Sequence, residues 1–109
     1  MANKASTGIG ITDRSISSLS GSSQKLMSQN LQRGAMVIAN VGNANIAIAL
    51  AALSEDGSDT AGTAALNTAG SYTIVPNGSW TMGDGGFIHL GAVYVIGTAG
   101  QPVSAFESV

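Results

Sequence analysis

The residues of this chain that can do chemistry are few and scattered. His89 is the one imidazole. It lies in Phe87-Ile88-His89-Leu90-Gly91, an apolar setting, and one imidazole does not build a metal site. The chain has fourteen serines and no cysteine. No serine stands in a Gly-x-Ser-x-Gly elbow, so a Ser–His–acid triad has no local signature. Glu55-Asp56-Gly57-Ser58-Asp59 offers oxygens of the kind Ca²⁺ takes, but lacks the length and closing Glu of an EF-hand loop. Gly83-Asp84-Gly85-Gly86 is glycine-rich like a phosphate cradle. No Lys follows it and no helical pattern lies behind it, so it reads as a tight turn. Tyr72 and Trp80 are large aromatic side chains. Within a core they would pack across two layers, and exposed together they could stack on a sugar ring.

Catalysis needs positioned titratable groups or a metal. These residues supply neither pattern, so neither an enzymatic activity nor a cofactor is expected.

Composition narrows the classes further. The chain has 109 residues, a length that fits one domain. Charged residues make up 9%, far below the ~25% of ordinary globular chains. Gly, Ser, Thr and Asn account for 44 of the 109 residues. A net charge of −2 without a basic patch argues against nucleic acid as a partner. The absence of Cys excludes a disulfide framework and a zinc-thiolate site.

The uncharged stretch 35–53 is long enough to span a bilayer. Asn40, Asn43 and Asn45 interrupt it, and a membrane helix is therefore not expected. The first residues show no apolar core behind a basic start, so no signal peptide is expected.

Large apolar side chains are scarce, and ordering fifteen glycines is costly in backbone entropy. Low surface charge gives little protection against association. Together these point to a chain that works as an oligomer or attached to something larger. All four basic residues, Lys4, Arg14, Lys25 and Arg33, lie in the first 33 positions with Asp13 as the one acid there. Five acids and no base follow. This split would suit docking of a basic arm onto an acidic neighbour.

The elements are short strands between turn residues. Arg14–Ser20 reads as a weak strand, and Gln24–Asn30 is compatible with a helical turn or a strand. Ala35–Val41 is a continuous apolar run. Ile46, Ile48 and Leu50 alternate with Ala47 and Ala49, giving one bulky and one small face. Gly42-Asn43 between these two runs predicts a hairpin. Residues 51–70 read as a long loop. Further strands fall at Ser71–Val75, Ser79–Met82, Phe87–Leu90, Ala92–Gly97 and Pro102–Glu107. Trp80 and Met82 share a face, and Val103 alternates with Ala105. Seven or eight strands with turns every 6–12 residues predict an all-β sandwich or small barrel.

An ordered series of segments carries a family resemblance over roughly residues 11–107. It begins with Asp13-Arg14-Ser15, Ser23-Gln24-Lys25-Leu26-Met27, Asn30 and Arg33-Gly34. Val37-Ile38-Ala39-Asn40 follows, leading into Asn45-Ile46-Ala47-Ile48. Ala69-Gly70-Ser71-Tyr72 then precedes a Pro-Asn-Gly turn. The last part runs from Gly91-Ala92-Val93-Tyr94-Val95-Ile96-Gly97-Thr98-Ala99-Gly100-Gln101-Pro102-Val103 to Phe106-Glu107.

The series resembles the small all-β structural proteins of tailed bacteriophages, which decorate or cement the capsid or form short fibres and adaptors. The chain departs from that pattern in its long Leu53–Gly70 segment. The resemblance implies a single-domain jelly-roll-like β-sandwich that assembles as a homotrimer on the virion surface, with the major capsid protein as partner. On that reading residues 1–20 form an extended N-terminal arm and residues 21–109 the body. Arg14, Lys25 and Arg33 are then the candidates for contact with the shell. The alternative is a carbohydrate- or receptor-binding module of a fibre or tail, with Tyr72 and Trp80 as stacking residues.

Overall fold

The computed structural model describes residues 10–83 and 87–109. It has eight strands: β1 (Ile11–Asp13), β2 (Gln24–Met27), β3 (Ala35–Ala39), β4 (Ile46–Leu50), β5 (Tyr72–Ile74), β6 (Ser79–Met82), β7 (Val93–Ile96) and β8 (Ser104–Ser108). They form two four-stranded sheets, ordered β1-β8-β3-β6 and β2-β7-β4-β5. Every pairing is antiparallel. Among the described residues no helix is long and apolar enough to cross a membrane.

Alternation explains which side chains are inside. Met36 and Ile38 of β3, Ile46 and Ile48 of β4, Val93 and Val95 of β7, and Ala105 of β8 point into the space between the sheets. Strand parity puts every second residue there. Trp80 and Met82 also face inward, half-buried against this core, as their shared face predicts. The ambiguous segment at 24–30 resolves as strand β2, with an irregularity between Lys25 and Met27.

The expected hairpin between the runs 35–41 and 46–50 does not form. β3 pairs with β6 and β8, whereas β4 pairs with β5 and β7. The chain crosses from one sheet to the other at Asn40, which is buried. Its side-chain amide donates 2.8 Å bonds to the carbonyls of Ala44 and Ile74, and its Oδ1 accepts from the Gly42 amide at 3.0 Å. Its backbone joins the next crossover. Asn40 N donates to Gly78 O, and Asn77 N donates to Asn40 O. The turn Pro76-Asn77-Gly78 that carries β5 into β6 has Asn77 at φ 66°, a left-handed conformation asparagine tolerates. One buried amide thus fastens two sheet-to-sheet crossings, a role a two-residue hairpin turn would not give it.

The run 87–90 forms no strand. Residues 10–20, expected as part of an extended arm, lie along the chain's own C-terminal segment. β1 pairs with β8, Ile16 bridges Val103, and Leu19 N donates to Gln101 O. Leu19 itself is buried in the core.

The two sheets differ on their outer faces. On the β2-β7-β4-β5 sheet, Ala47 and Ala49 are buried although they point away from the core. Residues 51–70 lie over them. Tyr94 donates its hydroxyl to Thr60 O at 2.9 Å, Ala64 N donates to Ser23 Oγ at 2.9 Å, and Gln29 and Ser54 exchange two bonds. A Cβ on Gly62 would stand 2.8 Å from the Tyr94 ring. The small alanine face of β4 is what lets this third layer approach so closely. The long loop is therefore a cover for one sheet.

Candidate functional site

The outer face of the β1-β8-β3-β6 sheet has no such cover among the described residues. Its rows follow from register: Ile11, Ser108 and Ala35 in one, and Asp13, Phe106, Val37 and Thr81 in the next. Ile11 is 72% exposed and Phe106 37%. A shallow groove of about 480 Å³ runs over this face, walled by Ile11 and Phe106 on one side and Thr81 and Gly83 on the other. Gly83 has φ 102°, and a Cβ there would lie 2.2 Å from the Gly34 carbonyl, so no other residue fits. Asp13 is the one charge in these rows. The surface is charge-poor and partly apolar.

The expected shell-contact residues separate. Arg33 does not face a surface: its side chain is sealed from solvent, and its Nε lies 2.8 Å from Glu107 Oε1. Its remaining nitrogens donate to the carbonyls of His89, Gly91 and Ser28. Glu107, also buried, accepts from Asn30 through Oε1 and from Arg14 Nε through Oε2 at 2.7 Å. Burial raises the Glu107 pKa, but the bonds from Arg33, Asn30 and Arg14 together outweigh it, and the net shift is downward. Arg33 is thus spent on holding the 28–33 and 89–91 segments to β8 and is removed as a contact candidate.

Arg14 keeps 43% of its side chain exposed beyond its bond to Glu107. Lys25 is 45% exposed and paired with Asp59, which fastens the covering segment. Both lie on the side of the sandwich bounded by the edge strands β1 and β2.

Tyr72 and Trp80 do come together. Their ring centroids are 5.4 Å apart with planes inclined by 33°. One belongs to β5 and the other to β6, the edge strands of opposite sheets, so the pair closes the other side of the sandwich. Trp80 is half-buried against the core, and Tyr72 is 52% exposed.

His89 is half-buried, with Nε2 3.3 Å from Ala92 O. In the acidic loop, Asp56 accepts from Ser54 and Ser58, which hold it at about 2. Asp59 is likewise held at about 2, by Lys25 and then by the Gln29 amide. These carboxylates are engaged within the protein. Among the described residues no three His, Asp or Glu side chains converge as a metal site. Gly83-Asp84-Gly85-Gly86 lies largely outside the described residues.

The residue that sequence reasoning missed is Glu107. Its signal was present: in the alternation of Val103, Ala105 and Glu107 it has inward parity. A charge at an inward position needs a buried cation, and Arg33 is that cation.

Comparison with protein-family models, with curated proteins and with solved structures returns no match.

Proposed function

We propose that this chain is a capsid decoration protein of a tailed bacteriophage, acting as a homotrimer on the outside of the head. The observation that carries the reading is the charge-poor outer face of the β1-β8-β3-β6 sheet, uncovered among the described residues, beside a second sheet that the chain covers itself. In a ring of three, each copy offers this face to a different face of its neighbour, and with Asp13 as the one charge in its rows there is little charge to desolvate. The number three and the viral setting come from the sequence resemblance.

The strand order supports the same reading. β1, β8, β3 and β6 in one sheet stand against β2, β7, β4 and β5 in the other, and all connections except β4 to β5 cross between sheets. We read this as a jelly roll, an architecture used by viral capsid and lectin domains. The body would bind the shell through its β1/β2 side, where Arg14 and Lys25 remain partly exposed. Repetition over a symmetric lattice turns weak single contacts into firm retention. No chemical step is involved.

The test is the composition and map of purified particles that carry this chain. The reading expects stoichiometric copies on the head surface at positions of threefold symmetry. Its absence from heads, or its presence inside the tail alone, would overturn it.

A second reading rests on the Tyr72–Trp80 pair. Adjacent aromatics on an edge suit a sugar ring, as on a receptor-binding fibre module. Glycan binding lost in both Trp80→Ala and Tyr72→Ala would favour it.

A further inference from the structure

We infer that the N-terminal segment 10–19 is exchanged between copies, so that β1 of one subunit pairs with β8 of its neighbour. This rests on the self-association proposed above and names its mechanism.

The segment is built as a removable part. It lies at the outer edge of its sheet, so its departure breaks no ladder other than the one with β8. All three residues of β1 are exposed. Inward anchoring falls to Ile16 and Leu19. The joint to the body is Ser20-Gly21-Ser22-Ser23, with Gly21 at φ 90°, a conformation that glycine adopts at little cost.

The vacated edge selects its occupant. Without the segment, β8 presents unpaired backbone groups from Gln101 to Ser108. The buried Glu107 also loses the Arg14 bond on Oε2. A replacement strand must supply backbone partners, an apolar residue five positions after an arginine for the Leu19 site, and that arginine opposite Ala105, within reach of Glu107. A second copy of this chain meets all three. Exchange keeps every contact of the closed form and trades one neighbour for another, which makes it a low-cost route to association. Passed head to tail around a ring, the segments would link three subunits.

Ile11 and Ser108 are direct cross-strand partners, a separation that a disulfide can span. The chain has no cysteine of its own, so an Ile11→Cys, Ser108→Cys double variant reports one bond. The full-length variant is assembled reduced, its mass is measured, and it is then oxidised and run under denaturing, non-reducing conditions. Exchange predicts an oligomer in solution and covalent dimers and trimers after oxidation as the main species. An oligomer that yields only internally bonded monomers overturns exchange and leaves the self-association standing. A monomer at every concentration overturns both.

Discussion

Arg33 and Glu107 form an ion pair of 2.8 Å in which both side chains are cut off from solvent. Arg14 binds the same carboxylate from the outside, with nearly half its side chain in water. Two arginines on one glutamate therefore make contributions of different size. Removing one partner of a buried pair costs about 3–5 kcal/mol, because it strands a charge in low dielectric. Losing the half-exposed Arg14 leaves the buried Oε2 without its bond while Arg33 still balances the charge, at about 1–3 kcal/mol. Arg33→Met should therefore destabilise the domain more than Arg14→Ala does. Denaturant unfolding of both variants checks the order. Equal losses would contradict the burial assigned to Arg33.

The same carboxylate sets an acid limit. The folded-state pKa of Glu107 lies below its ordinary value of 4.5. Its contribution is complete above that value and is lost as pH falls through the lower folded pKa. Asp56 and Asp59 follow between 3.8 and about 2. Protonating Asp59 frees the Gln29 amide and Lys25, so the covering segment should loosen. Protection of the Gln29 amide, taken relative to its intrinsic exchange rate, should fall as pH drops towards about 2 in the wild type. Asp59→Ala should lower that protection already at neutral pH.

Asn40 makes a sharper case, because it acts through donors. Its amide group supplies the carbonyls of Ala44 and Ile74. Asn40→Ala leaves these acceptors unsatisfied at about 1–3 kcal/mol. Asn40→Asp has nearly the same shape but cannot donate when ionised, and it adds a buried negative charge. Thermal unfolding should therefore rank wild type above alanine and alanine above aspartate. A hairpin turn at 42–43 would have tolerated either change.

Gly62 tests the cover over the second sheet. A methyl group there meets the Tyr94 ring at 2.8 Å, and that ring is held by its bond to Thr60. Overpacking of this kind costs about 1–3 kcal/mol. Gly62→Ala should increase proteolytic cutting within 51–70 before it affects the core strands. Limited proteolysis read by mass spectrometry gives the sites.

The strands were largely legible in the sequence, and their partners were not. Alternation in Ile46–Leu50 and in Ala92–Gly97 states which side chains share a face, because parity is local. Nothing local in Ala35–Leu50 states that its two halves part into different sheets. That is decided by Asn40 reaching Ile74, a contact 34 residues away. Arg33 shows the same limit. As a basic residue in a charge-poor chain it reads as a surface contact until Glu107, 74 residues on, is placed beside it. The Tyr72–Trp80 contact was open to sequence reading as a candidate, since both are large aromatics on neighbouring strands.

The outer face of the β1-β8-β3-β6 sheet, uncovered among the described residues, carries the central claim. Phe106 sits on it with its ring partly in solvent and contributes nothing to the core cluster. Phe106→Glu leaves the core cluster untouched and adds a second carboxylate beside Asp13 on this face, which an interface would have to desolvate. Sedimentation equilibrium at micromolar concentration is the direct measurement. The wild-type chain is predicted to sediment at about three times its 10.8 kDa mass, and Phe106→Glu as a single chain. A wild-type protein that stays at 10.8 kDa at every concentration would contradict the account.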